Sequence, residues 1–149
     1  MTTLSRYAGV CLCLSLAACG SADEPPAAEE TPPAEAAFTV SITEPTGGAE
    51  VDGPTLTVRL AATGVRIAPA GEVVEGTGHH HLYLDADLAA PGTPVPSEPG
   101  RIIHMGDGSD VYVFQGVEPG EHRLIAVVAD GIHLPLQPWV VDTVRFTVR

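Results

Sequence analysis

The chain has no lysine and only seven arginines to set against 19 acidic residues, which gives its 149 residues a formal net charge of −12. A surface this acidic repels the phosphate backbone of nucleic acids, so the charge argues against DNA or RNA as a partner. It repels anionic lipid headgroups for the same reason. Any attachment to a membrane must therefore come from a covalent lipid rather than from a basic surface.

The sequence also lacks the motifs of the common enzyme classes. It contains no G-x-S-x-G nucleophile elbow, no H-E-x-x-H zinc motif and no glycine-rich loop that would bind phosphate. Ser109 stands beside Asp110, but no group that would activate its hydroxyl is evident. We therefore expect a protein that is not an enzyme.

Cysteine is scarce and confined to the amino-terminal end, at Cys11, Cys13 and Cys19. The apolar run from Ala8 to Ala18 is about 11 residues long, whereas a membrane-spanning helix needs about 20, so this run is typical of a secretory signal. It ends in Leu-Ala-Ala-Cys, which resembles the bacterial lipobox, the motif whose cysteine receives diacylglycerol before the chain is cleaved on its amino side. We expect residues 1–18 to be a cleaved signal peptide and Cys19 to be the lipidated residue.

Cleavage at this point would leave a mature chain without a free thiol, so neither a cysteine nucleophile nor a thiolate metal site is expected. It would also remove Arg6, and the six remaining arginines against 19 acids give a net charge of about −13. No aspartate follows Cys19 directly, which by analogy with Gram-negative sorting favours the outer membrane, with the domain facing the periplasm. The first expected partner is thus the membrane, reached through the lipid anchor.

The segment that follows the expected cleavage point should not fold. Residues 21–37 contain four prolines and five acids but no aromatic or branched aliphatic residue. Such a composition cannot bury enough apolar surface to offset the entropy lost on ordering. We expect residues 19–37 to form a disordered tether in front of one domain, residues 38–149.

From residue 38 onward the apolar residues recur with a period of two, the pattern of half-buried β-strands. The alternation is clear in residues 38–43, 55–60, 111–114 and 143–148. Residues 124–128 are apolar throughout, which predicts a central strand. About seven short strands in a domain of this size predict an all-β fold, an antiparallel immunoglobulin-like β-sandwich.

Six histidines stand out in so acidic a chain, and three of them are consecutive. On a strand that begins near Gly78, His79 and His81 would point to one face, about 7 Å apart, while His80 would point to the other face. A His-x-His pair on a strand can chelate a metal ion because both imidazoles converge on it. The spacing therefore predicts a metal site that includes His79 and His81.

Two further histidines could complete such a site. His104 lies at a predicted strand end before a glycine turn, and His133 lies in a predicted loop. Met105 is a soft ligand of the kind that suits copper. Asp85 and Asp130 could accept hydrogen bonds from the outer nitrogens of the imidazoles and so orient them.

The remaining histidines have a simpler interpretation. His80, which would share a face with Leu82, is more typical of a histidine at the edge of the core with a hydrogen-bonded ring. His122 begins a predicted strand after Pro119-Gly120 and is expected to be structural. Consecutive histidines can also form a polar network that ties loops together, and this alternative applies to the whole group.

Several segments together resemble an uncharacterised, typically exported bacterial family. They are Gly-Thr-Gly-His-His-His at 76–81, His-Met-Gly-Asp-Gly at 104–108, Pro-Gly-Glu-His-Arg at 119–123 and Asp-Gly-Ile-His-Leu-Pro at 130–135. The family is called domain of unknown function 4399, and the similarity runs from about Val65 to Val148. Relatives often carry a further histidine where this chain has Ile102 or Leu136. The resemblance therefore implies a smaller histidine site here than in those relatives.

These observations predict a cell-envelope lipoprotein that binds a divalent transition metal, copper or zinc, through His79, His81, His104 and His133. The alternative is a non-catalytic structural or interaction module that contacts another envelope protein and whose histidines form a hydrogen-bond network. The sequence supports no prediction of the oligomeric state.

Overall fold

The computed structural model describes residues 37–149. The predictions made for the signal peptide, for Cys19 and for nearly all of the tether concern residues outside this range. Among the described residues, no helix is long and apolar enough to cross a membrane.

The described residues form an all-β fold without a helix, which confirms the predicted fold class. There are nine strands rather than about seven, since two of the nine are only two residues long. The strands are β1 (Thr39–Glu44), β2 (Glu50–Val51), β3 (Thr55–Thr63), β4 (Arg66–Ile67), β5 (Thr77–Leu84), β6 (Ile102–Met105), β7 (Val111–Gln115), β8 (Gly120–Ala129) and β9 (Val141–Val148).

The strands form two sheets that pack as a β-sandwich. One sheet has three strands in the order β1-β3-β7, and the other has the order β2-β9-β8-β5-β4, with β6 also paired to β5. Their inner faces share one hydrophobic core, to which Val58 and Leu60 contribute from the small sheet and Leu82, Leu124 and Phe146 from the large sheet. The period-two alternation places these residues inward and the polar residues between them outward.

The pairing is antiparallel, as predicted, except at the two shortest strands. β2 pairs with β9 and β4 pairs with β5, both in parallel. Residues 68–76 connect β4 to β5 by a long loop rather than a tight hairpin turn, so β5 runs in the same direction as β4. β4 then covers only the first two residues of β5, and β6 pairs with the edge of β5 from His80 onward.

The middle of the large sheet is buried on both faces. All eight residues of β5 are buried, as are residues 124–129 of β8, which confirms the central strand predicted there. The outer face carries a second apolar cluster that includes Tyr83, Ile125 and Val127. The segment of residues 88–100 contains none of the nine strands and is largely exposed, but its Val95 packs into this cluster.

Candidate metal centre

Strand β5 places two histidines side by side on the outer face of the large sheet. His79 and His81 alternate with His80 along the strand, and their side chains are only 0% and 1% exposed. Their rings lie close enough for Nε2 of His81 to contact Nε2 of His79 at 2.9 Å. Two neutral imidazole nitrogens at this distance share one hydrogen, since one nitrogen must donate and the other accept.

The third histidine comes from the neighbouring strand. His104 of β6 lies directly opposite His81 in the antiparallel pairing of β5 and β6, and its side chain is exposed. Residues that face each other in such a pair have Cβ atoms about 4.5–5.5 Å apart, so the two rings must lie on the same face. The ring centroids of His81 and His104 are 5.2 Å apart.

The fourth histidine is held by a tight turn after β8. His133 has a positive φ of 73°, and its backbone N–H donates to the carbonyl oxygen of Asp130. The Asp130 carboxylate accepts from the backbone N–H groups of Ile132 and Leu134, so it shapes the turn rather than orienting a ring. The turn brings Nε2 of His133 to 3.1 Å from Nε2 of His104.

The four rings form one compact cluster. The six centroid separations among His79, His81, His104 and His133 run from 4.5 to 5.7 Å. Ligand nitrogens of His79, His104 and His133 all lie within 4.8 Å of one another. Four imidazoles on a tetrahedral ion with metal–nitrogen bonds of about 2.0–2.1 Å would have centroids about 5 Å apart. Three of these histidines, His79, His104 and His133, therefore lie close enough together to hold one metal ion.

Burial keeps the inner rings of this cluster neutral. Loss of water contact, followed by the nearby rings of His104 and His133, lowers the pKa of His79 to about 4. The same loss of water contact, together with the neighbouring histidines, lowers the pKa of His81 to about 3. Burial and the neighbouring His133 also lower the pKa of His104. Neutral imidazole is the form that binds metal, because the ligand nitrogen must be unprotonated.

Two nitrogen atoms of the cluster have no hydrogen-bond partner within residues 37–149. Nδ1 of His79 and Nδ1 of His81 are buried and accept or donate no hydrogen bond among the described residues. A metal-bound imidazole usually donates its outer N–H to a carboxylate or carbonyl group. Among the described residues, neither inner ring makes such an outer hydrogen bond.

Two glycines allow the cluster to form, although no sequence pattern indicated this role. A Cβ atom at Gly106 would lie 2.3 Å from Cε1 of His104, so the ring occupies the space above this glycine. A Cβ atom at Gly131 would lie 2.1 Å from the backbone oxygen of Glu72, so the turn that carries His133 packs directly against the loop of residues 68–76. Both contacts join segments whose proximity only the fold determines.

Two candidates named from the sequence point away from the cluster. Met105 follows His104 on β6 and is buried in the core between the sheets, so the idea that it is a copper ligand is wrong. His80 is 1% exposed on the same inner side, and its Nδ1 donates to the backbone oxygen of Ser109 at 3.1 Å. Burial lowers the pKa of His80 as well.

A separate polar group contains the other two candidates. His122 donates from Nδ1 to Asp85 Oδ2 at 2.6 Å and from Nε2 to the Glu118 carbonyl oxygen at 2.7 Å. Because both partners can only accept, the ring must carry both protons. Burial opposes this charge, but the hydrogen bonds to Asp85 and Glu118 raise the pKa of His122. Asp85 thus orients an imidazole, although one outside the four-histidine cluster.

Fold and site together define a β-sandwich domain with a histidine cluster at one end of its central strands. The chain belongs to the family described as Domain of unknown function (DUF4399), whose match covers residues 58–149 and confirms the resemblance seen in the sequence. That stretch contains all six histidines. Among curated proteins, no significant match was found.

Two solved structures show a limited likeness to the chain. An engineered protein solved by crystallography is 16% identical with a TM-score of 0.45, over 78% of this chain and 21% of that chain. The endo-beta-1,4-mannanase from Thermotoga petrophila is 18% identical with a TM-score of 0.43, over 76% of this chain and 20% of that chain. The chain thus spans about a fifth of either protein. Likeness of this extent establishes neither a shared fold nor a shared activity.

Proposed function

We propose that this protein is a cell-envelope lipoprotein that binds one divalent transition metal ion, copper or zinc, through His79, His81, His104 and His133. The observation that carries the proposal is the convergence of four imidazoles from β5, β6 and the turn after β8, with ring centroids 4.5 to 5.7 Å apart. Zinc and copper are among the ions that imidazole ligands suit, together with iron and nickel.

The arrangement has an interior side and an open side. His79 and His81 are fully buried, whereas His104 is exposed and His133 is half-buried. An ion could reach the centre past the two outer rings and then meet the two inner nitrogens, which are held neutral by burial. The N···N contacts of 2.9 and 3.1 Å would open by a few tenths of an ångström to the spacing of about 3.3 Å that a tetrahedral ion requires.

The envelope location rests on the sequence of residues outside the described domain. The lipobox-like end of the signal and the acidic, proline-rich segment after Cys19 support a domain that is anchored by lipid and displayed on a tether. In a Gram-negative cell, the absence of an aspartate directly after Cys19 supports a position on the periplasmic side of the outer membrane. The domain would bind metal without catalysing a reaction.

The alternative is a structural histidine network, which the two N···N contacts favour. This network carries a free-energy cost at the two buried histidines, His79 and His81. Whichever of His79 and His81 accepts the shared hydrogen must carry its own proton on Nδ1, and both Nδ1 atoms are buried without a partner. An unpaired buried N–H costs about 1–3 kcal/mol; a metal bound at Nε2 of both rings would leave both Nδ1–H groups unpaired, so this cost applies to either arrangement.

Isothermal titration of the mature chain from residue 20, without lipid or tag, tests the proposal directly. Copper and zinc are each added to the wild type and to a His104→Gln/His133→Gln variant, whose changes lie on the open side and spare the buried rings. A His122→Gln variant serves as the matched control, because it removes one histidine outside the cluster. Moderate salt screens the general attraction of cations to an acidic surface.

The proposal predicts one ion per chain, a dissociation constant tighter than about 10 μM for at least one of the two metals, and loss of that binding only in the double variant. A dissociation constant above about 10 μM for both metals would overturn the proposal. Equal binding in the double variant would also overturn it, because the ion would then lie outside the cluster.

A further inference from the structure

A second concave surface lies at the opposite end of β8 from the histidine cluster. His122 is seven residues before Ala129, the residue that pairs with His79, which places the two regions about 23 Å apart along the strand. The cleft has a volume of about 460 Å³ and is lined mainly by polar groups, among them Asp85, Glu121, His122, Arg123 and Arg145. Clefts of this size accept small organic ligands.

Two arginines face each other in this cleft. Arg123 of β8 and Arg145 of β9 are directly opposite in the antiparallel pairing, so their side chains leave the same face of the sheet. Like charges in such a position destabilise a sheet. An oxyanion bound between two such side chains can accept from both guanidinium groups, because each presents a planar fork of N–H donors.

The two arginines differ in how far the protein itself neutralises them. Arg123 donates from Nη2 to Asp87 at 2.6 Å and to the Ala86 carbonyl oxygen at 2.9 Å. Arg145 is exposed and forms no ion pair with any carboxylate of the described residues. In so acidic a chain, an arginine left without an internal partner beside a second arginine is a candidate ligand contact.

The acidic groups of the cleft do not compensate Arg145. Both oxygens of Asp85 already accept hydrogen bonds, Oδ2 from His122 and Oδ1 from the backbone N–H of Arg123 at 2.8 Å. Glu121 lies opposite Thr147, two residues before Arg123 on the same face, and makes no ion pair among the described residues. Its free carboxylate can accept hydrogen bonds from hydroxyl groups and would repel a second negative charge.

We propose that the cleft between the amino-terminal end of β8 and the carboxyl-terminal end of β9 binds a small, singly charged carboxylate that also carries hydroxyl groups, such as a sugar acid. The guanidinium groups of Arg145 and Arg123 hold the carboxylate. Glu121 accepts from the hydroxyl groups, and its charge disfavours ligands with several negative charges. This site is independent of the metal proposed for the histidine cluster.

Titration of the ¹⁵N-labelled mature chain with glucuronate, followed by amide NMR at constant ionic strength, tests the site. Glucose is the neutral counterpart of the probe. Arg145→Gln removes the proposed contact, and Arg66→Gln is the matched control, because Arg66 is also exposed, also forms no ion pair among the described residues and lies outside the cleft. Both variants change the net charge equally.

The expected result is a saturable shift of the amide signals of Gly48, Arg123 and Arg145, with a dissociation constant on the order of millimolar. Arg145→Gln should weaken binding at least about tenfold, as expected for a lost charge-assisted hydrogen bond, while Arg66→Gln should leave it unchanged. The proposal is overturned if glucose causes the same shifts, if Arg66→Gln weakens binding as much as Arg145→Gln, or if no shift saturates below about 100 mM glucuronate.

Discussion

Replacing Gly106 with alanine should remove His104 from the metal site without unfolding the domain. The added Cβ atom would lie 2.3 Å from Cε1 and 2.4 Å from Nε2 of the His104 ring. Non-bonded carbon atoms settle about 3.5–4.0 Å apart, so the ring must move by about 1.2 Å or more. Metal–ligand distances tolerate only about 0.2 Å of deviation, so the displaced nitrogen no longer coordinates.

The expected loss of metal affinity is at least about tenfold, the lower end of what losing a group that merely orients a metal ligand costs. The domain should stay folded, because the clash is with an exposed side chain that can rotate outward rather than with the backbone. Isothermal titration with the metal that binds the wild type measures the affinity, and thermal unfolding of the metal-free protein checks the fold.

Gly47→Ala is the matched control, since a Cβ atom there would have no atom within 4 Å. It should bind metal like the wild type. If Gly106→Ala also binds with unchanged affinity while remaining folded, His104 is not a ligand and the geometric reasoning for the site fails.

Three further outcomes follow from the same contacts. With chelator present, the free energy of unfolding should fall as the pH drops from 6.5 towards 4, because unfolded His79 binds a proton near pH 6.5 whereas folded His79 does so only near its pKa of about 4. The full decrease in the free energy of unfolding is about 3 kcal/mol. Equal free energies from urea titrations at pH 6.5 and pH 5 would contradict this prediction. The raised pKa of His122 has the opposite pH dependence, since its contribution to the free energy of unfolding is complete below pH 6.5 and is lost as the pH rises through the folded-state pKa. Asp85→Asn should lower the pKa of His122 in an NMR titration of the ring. An unchanged pKa would show that the carboxylate does not hold the proton. Gly131→Ala should destabilise the domain by about 2 kcal/mol or more in chemical unfolding, because its Cβ atom would meet the backbone of Glu72, and a change below about 0.5 kcal/mol would argue against that packing.

Much of the fold could be predicted because period-two alternation reports directly which face of a strand is buried. The central position of β8 followed from its continuous apolar run, and the opposite directions of His79 and His80 followed from strand geometry alone. The two-residue strands β2 and β4 could not be predicted, since two residues show no periodicity and their parallel pairing depends on where long loops return the chain.

The candidate site could be predicted in its residue types but not in its assembly. The sequence suggested that His104 and His133 join His79 and His81, yet the register of β6 on β5 and the turn shaped by Asp130 decide their distances. The error at Met105 has the same origin, because its neighbour His104 points to the outer face and the next residue on a strand must point to the other.

The most direct test of the central claim is a crystal of the mature chain soaked with copper or zinc and measured at the absorption edge of that metal. The account predicts one anomalous peak per chain, surrounded by His79, His81, His104 and His133 and within about 2.0–2.1 Å of at least three ring nitrogens. A peak elsewhere on the acidic surface, or no peak while the pairs His79–His81 and His104–His133 keep their direct contacts, would show that the histidines are a structural network.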